Sequence, residues 1–233
     1  MDTGPYTVRD VMTRTVVAVG RETLFKDVVT LMKRWQVDAV PVLEGDGRVI
    51  GVVSEADLLP KEEFRDRVPD RAVRRERLTD LAKAGALTAG ESMSAPAVTV
   101  HADATVPEAA RIMARRQVKR LYVIDAEGYL EGVVSRADLL KVFLREDREL
   151  AAEVRQSIAE IAGDRIGVEA VDGVVTLTGS AADSTSLDAA GRLARTVEGV
   201  VDVRCRLEPA AHPCGCGDPL APRGSRTLRA NVP

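Results

Sequence analysis

The pattern of apolar and polar positions over the first 145 residues states one arrangement twice. Each statement opens on a short apolar stretch, Val16–Val19 and later Ala97–Val100, which predicts a strand. Apolar residues at helical spacing follow: Leu24, Val28, Leu31, Met32 and Trp35, then Val106, Ala109, Ala110, Ile112 and Met113. The second of these helices has a readable start, with Thr105 as cap, Pro107 in the first turn and Glu108 three positions on. Two strands come next, Ala39–Leu43 and Arg48–Val53, joined by Glu44–Gly47. Their counterparts are Arg120–Asp125 and Tyr129–Val134, joined by Ala126–Gly128. Glycine in these connections supplies the positive φ that a tight turn needs. A second helix begins at Ser54 and at Ser135. The unit is therefore β-α-β-β-α, and two copies sharing a core give a pseudo-twofold sandwich of α/β (α+β) class.

Val8–Leu59 aligns with Ala89–Leu140 without gaps at a constant offset of 81, with 17 identities in 52 positions. The densest block sets Gly51–Leu59 against Gly132–Leu140, which differ only at Glu55 and Arg136. Three motifs stand in register: Val11-Met12-Thr13 near the start, Val40-Pro41-Val42 in the middle and Gly-Val-Val-Ser-x-Ala-Asp-Leu-Leu at the end. This pattern resembles the cystathionine-beta-synthase (CBS) domain family, whose tandem copies form a Bateman module. The repeats are read as residues 6–59 and 89–145, separated by a charged insert, residues 60–88. Arg71–Arg77 is locally basic, six acidic residues are interleaved through the insert, and Leu78, Leu81 and Leu87 make a faint apolar stripe. The insert reads as a solvated helix or a partly mobile connector.

After Leu144 the period changes. Leu150, Val154, Ile158 and Ile161 mark an amphipathic helix ending at Gly163. Ile166–Val171 and Val174–Gly179 flank Asp172-Gly173, a strong hairpin signal. A second helix, Ala182–Val197, turns Leu187, Ala190, Leu193 and Ala194 inward, and Val200–Leu207 alternates Val201, Val203, Cys205 and Leu207 on one face. The α-β-β-α-β order with Asp172–Gly179 and Val197–Val203 resembles a BON domain over residues 147–208. That family is associated with phospholipid or other envelope components. Residues Glu149–Leu207 hold ten acids against six arginines, net −4, so an anionic lipid surface is disfavoured and protein docking or a neutral ligand is favoured. The tail, residues 209–233, lacks apolar periodicity and reads as disordered; His212, Cys214 and Cys216 in it are too few for a structural zinc site.

Composition narrows the classes. Net charge is −3 and aromatics are 3%, so neither a nucleic-acid binder nor a base-stacking platform is expected. No apolar run is long enough to span a bilayer and no signal-like leader opens the chain, so a cytoplasmic setting is expected. His101 reads as a surface residue. No constellation of nucleophile, base and metal ligand is legible, so the expected role is not catalytic.

The chemistry that remains is Ser54 with Asp57 and Ser135 with Asp138. One reading is a capping box, in which the serine caps the helix start and the acid answers it. The other is a carboxylate held where it can accept both hydroxyls of a ribose, beside turn N–H groups that suit a phosphate. Both can hold at once. The family resemblance implies AMP, ADP, ATP or S-adenosylmethionine as ligands, with Thr13, Ala39, Pro41, Ser54, Asp57, Ser94, Arg120, Tyr122, Ser135 and Asp138 around them, and a homodimer through the paired repeats. In that reading Arg120 takes phosphate, or is a solvated strand-end charge. Asp38, at the position matching Lys119, repels phosphate from the first site. Pro41 is the wall of an adenine pocket and Tyr122 its counterpart. The downstream protein partner is not named by the sequence. The rival role is a constitutive scaffold.

Overall fold

The structure, a computed structural model, describes residues 6–65, 77–162, 165–181 and 184–209. Each repeat opens on a one-turn helix that the periodicity does not show: α1 (Val8–Val11) and α6 (Ala89–Ser92). The first copy continues with β1 (Val19–Gly20), α2 (Phe25–Trp35), β2 (Ala39–Glu44), β3 (Arg48–Ser54) and α3 (Glu55–Leu58). The insert supplies α4 (Pro60–Glu63) and α5 (Leu78–Gly85). The second copy has β4 (Thr99–His101), α7 (Val106–Arg116), β5 (Arg120–Ile124), β6 (Leu130–Ser135) and α8 (Arg136–Leu139), then a 3-10 turn, Leu140–Leu144. In both sheets the short first strand lies parallel to the second, and the second pairs antiparallel with the third.

The long helices end the same way for a local reason. Gln36 and Gln117 take left-handed conformations, with φ 53 and 56, and the following Val37 and Val118 N–H groups each donate to Met32 and Met113 carbonyls at 3.1 Å. This six-to-one bond is a Schellman ending, and the repeated Gln-Val dipeptide is its sequence trace. Thr105 and Glu108 form the expected capping box on α7.

The two copies do not share one core. They form two, and exchange their opening segments. Val8 and Val11 pack with Ala109, Met113, Leu121 and Val134 of the second copy, while Ala89 and Met93 pack with Val28, Met32, Val40 and Val53 of the first. The chain after each opening helix is spent on the other copy: Thr13 and Val133 exchange two bonds of 2.9 Å, and Ser94 and Val52 exchange bonds of 2.8 and 3.0 Å. The first strands therefore begin at Val19 and Thr99, later than the apolar runs imply. The crossing needs glycine. A Cβ on Gly51 would sit 2.5 Å from the Met93 sulfur, and one on Gly132 would sit 3.0 Å from the Met12 sulfur.

The leucine stripe of the insert is not its buried face. Leu78 and Leu87 are exposed, whereas Lys83 and Ala86 are buried. Residues 66–76, including most of the basic run, lie outside the described residues.

The C-terminal unit consists of α9 (Asp147–Ala162), β7 (Ile166–Val171), β8 (Val174–Ala181), α10 (Ser184–Thr196) and β9 (Asp202–Pro209), with β8 central in the sheet. Asp172 and Gly173 have φ 51 and 74, as a type I′ turn requires, and both N–H groups donate to the Asp147 carboxylate. Leu150, Val154, Ile158, Ala190, Ala194 and Val203 are buried, but the predicted inward residues Ile161, Val201 and Cys205 are exposed. Ile161 lies in the last turn of its helix and Val201 precedes the strand. Cys205 faces Gly191, which has no side chain to cover it. This unit docks on the paired repeats: the Tyr6 N–H donates to Glu198 at 2.7 Å, and Arg145 donates to the Glu198 carbonyl at 2.8 Å and to Glu153 at 2.6 Å. Burial pushes the Glu198 carboxyl above its ordinary value. His212, Cys214 and Cys216 lie outside the described residues. Among the described residues no helix is long and apolar enough to cross a membrane.

Candidate ligand cleft

The strand-to-helix turn that ends each repeat positions its acid by local bonds alone. Asp57 Oδ2 accepts from the Ser54 N–H at 2.8 Å and the Ser54 hydroxyl at 2.5 Å; Asp138 Oδ2 accepts from the Ser135 N–H at 2.8 Å and the Ser135 hydroxyl at 2.6 Å. The capping reading therefore holds in both copies. It also removes N–H groups from the expected phosphate site. The Ser54 N–H serves Asp57 and the Glu55 N–H donates to the Asp38 carbonyl at 3.0 Å; the Arg136 N–H likewise donates to the Lys119 carbonyl at 3.1 Å. An anion here meets fewer turn N–H groups than expected, so the side chains that line the cleft carry more of the contact.

The two acids then part company at Oδ1. Asp57 Oδ1 accepts from the Ser94 hydroxyl at 2.8 Å and from the Lys83 ammonium, which also donates to the Ser94 oxygen at 2.8 Å. The Lys83 and Asp57 side chains are 10% and 11% exposed. Asp138 Oδ1 has Lys141 at 2.6 Å, from the same helical segment, and that lysine is 53% exposed. Burial raises the pKa of both acids, but the hydrogen bonds outweigh it, Lys83 foremost at Asp57 and Lys141 at Asp138. Both stand below the ordinary 3.8.

Asp57 opens on a cleft of about 500 Å³ between the repeats. That volume suits a small organic ligand. Of the residues singled out from the sequence, the cleft brings together Ala39, Ser54, Asp57, Ser94, Arg120 and Tyr122. Thr13, Pro41, Ser135 and Asp138 do not line it. Thr13 is at the other crossing, on Val133, and Pro41 is buried in β2 opposite Val52. Asp38 does not stand as a bare repelling charge, because it pairs with the Arg120 guanidinium, so neither residue is a free strand-end charge. Tyr122 is buried, its hydroxyl has no hydrogen-bond partner among the described residues, and burial raises its pKa. His101 is exposed, its ring Nδ1 3.1 Å from the Ile124 carbonyl oxygen. Among the described residues, His, Cys, Asp and Glu side chains form no cluster of three that could hold a metal.

Sequence reasoning missed Lys83. The available signal is composition: one of only six lysines in the chain, set in Ala82-Lys83-Ala84-Gly85-Ala86, where small neighbours let a helix approach closely. A larger hollow of about 730 Å³ lies between α2, α3 and α4, lined by Phe25, Val29, Met32 and Leu58 among others, and it shares Asp38, Glu55 and Leu59 with the cleft.

Residues 8–61 and 89–145 match the CBS domain family, and residues 146–210 match the BON domain family. The chain is a CBS-pair protein with a BON domain. The CBS domain-containing protein CBSX2 of Arabidopsis thaliana is 30% identical over 159 residues, 63% of this chain and 67% of that protein. The uncharacterized protein MJ1426 of Methanocaldococcus jannaschii is 28% identical over 153 residues, 59% of this chain and 90% of that protein. Among solved structures, the CBSX2 complex with AMP superposes with a TM-score of 0.53 at 27% identity, covering 60% of this chain and 97% of the other. These likenesses cover about the share of the chain that the CBS pair occupies.

Proposed function

We propose that this protein is a non-catalytic regulator that binds an adenine nucleotide or adenosyl metabolite in the cleft at Asp57. The observation that carries the reading is the cleft itself. It sets a ribose-type acid, Asp57 with Ser54, from one repeat opposite Lys119, Arg120 and Tyr122 from the other. A cis-diol needs two acceptors on one carboxylate, and a phosphate needs cations, which arginine meets with two parallel bonds. Arg120 then exchanges Asp38 for phosphate. The likeness to a CBS pair solved with AMP supports the same class of ligand.

The BON domain reads the state of the pair. The segment that starts at Asp138 runs through Leu140–Leu144 into Arg145, whose bonds to Glu198 and Glu153 join the two parts. A protein partner docks on the BON domain, in the cytoplasm; its net negative charge argues against phospholipid. Exposed apolar residues, Val29 and Leu59 of one copy and Leu140 and Phe143 of the other, support a homodimer through the CBS pair.

A constitutive scaffold is the second reading, and one observation favours it: Asp57 already has Lys83. Calorimetry with ATP, ADP, AMP and S-adenosylmethionine separates the two, using wild type and a folded Asp57→Ala, Asp138→Ala double variant. Sensing predicts heat in the first and none in the second. Silence in both would leave the scaffold.

A further inference from the structure

We infer that Lys83 is a latch held in the place of the ribose, so that ligand entry at Asp57 releases the insert helix α5; this rests on the reading of the cleft as an adenosyl site. A carboxylate offers about four acceptor positions. At Asp57 all four are taken: two by Ser54, one by Ser94 and one by Lys83. The Ser54 bonds belong to the helix start and recur unchanged at Ser135 and Asp138, so they stay when ligand binds. A cis-diol must therefore take Oδ1, where Ser94 can turn its hydroxyl aside but the ammonium has to leave.

What leaves with Lys83 is a device rather than a side chain. Lys83 sits on α5, outside both repeats, whereas the matching partner of Asp138 is Lys141, three residues along the same segment and half exposed. Displacing Lys141 moves one solvated side chain. Displacing Lys83 removes the side-chain bonds from α5 to Asp57 and Ser94, while the end of the insert stays on the first repeat through the Phe25 N–H, which donates to the Leu87 carbonyl at 2.9 Å. At its other side α5 stays tied to α4, through Lys61 donating to the Ala84 carbonyl at 3.0 Å and through Arg77 bridging Glu63 and Asp80. The insert can swing without leaving. The closed latch also lowers apparent affinity, because only the open fraction of molecules can bind.

The test uses AMP, 2′-deoxy-AMP and the full-length chain. In wild type, hydrogen exchange of amides 78–88 rises with AMP and not with 2′-deoxy-AMP, which lacks one hydroxyl of the diol. A folded Lys83→Met variant binds AMP about tenfold more tightly, and its 78–88 amides exchange fast with or without AMP. Equal or weaker AMP binding by Lys83→Met, or AMP protecting residues 78–88, overturns the latch while leaving the cleft a nucleotide site. Absence of AMP binding to either protein overturns both. If Lys83→Met does not fold, the wild-type exchange with the two nucleotides decides alone.

Discussion

Asp57 and Asp138 occupy one position of a duplicated unit and make the same two bonds to the same preceding serine, yet they live in different electrostatic settings. Asp57 is closed by a buried lysine from outside the repeat; Asp138 is closed by an exposed lysine of its own segment. Duplication preserved the local geometry, which needs only Ser-x-x-Asp at a strand-to-helix turn. The insert, present once, then made two equal positions unequal. In a duplicated protein, the functional difference between copies can sit in residues that neither copy contains.

The widest separation between the copies is expected in stability. Asp57→Ala leaves the Lys83 charge buried without its acid and is expected to cost about 3 kcal/mol. Asp138→Ala loses a cap and a pair whose lysine is half exposed, and is expected to cost about 1 kcal/mol. Chemical denaturation of both variants measures the gap; equal losses would remove the distinction.

Glycine should erase the asymmetry. Gly51→Ala and Gly132→Ala each drive a methyl into the crossing segment of the other copy, at Met93 and Met12. Each is expected to lose about 1–3 kcal/mol, and by similar amounts, because this contact is intrinsic to the repeat.

Acid is expected to weaken the Asp57–Lys83 pair. The folded pKa of Asp57 lies below its ordinary 3.8. Its stabilisation is therefore complete above that value and is lost as pH falls through the lower folded value. Exchange of amides 78–85 should rise in that window below 3.8 in wild type and show no such step in Lys83→Met. The smallest effect belongs to Tyr122→Phe, which removes a buried hydroxyl lacking a partner among the described residues. It is expected to leave the unfolding midpoint unchanged or raise stability by up to about 1 kcal/mol.

The repeat, the hairpin at Asp172-Gly173 and the Ser–Asp pairs were legible because each rests on contacts within a few residues. The exchange of α1 and α6 was not, since a four-residue helix shows no period and its partners are distant in sequence: α1 bonds to Ala102 and Ala104, and α6 packs on Val28 and Val53. Lys83 was illegible for the same reason: its bonds to Asp57 and Ser94 span 26 and 11 positions. The charge of Asp38 was visible but its partner Arg120, 82 positions on, was not, so a repelling acid turned out to be a paired one. On β9 the alternation was real, yet Cys205 stays exposed because alternation says nothing about whether a facing helix carries a side chain there.

A structure of the protein crystallised with AMP tests the central claim most directly. The account predicts the ribose hydroxyls on Asp57 Oδ1, the phosphate on Arg120 or Lys119, and the Lys83 ammonium withdrawn from Asp57 with α5 displaced. AMP held elsewhere, or seated in the cleft with Lys83 still bonded to Asp57, would contradict it.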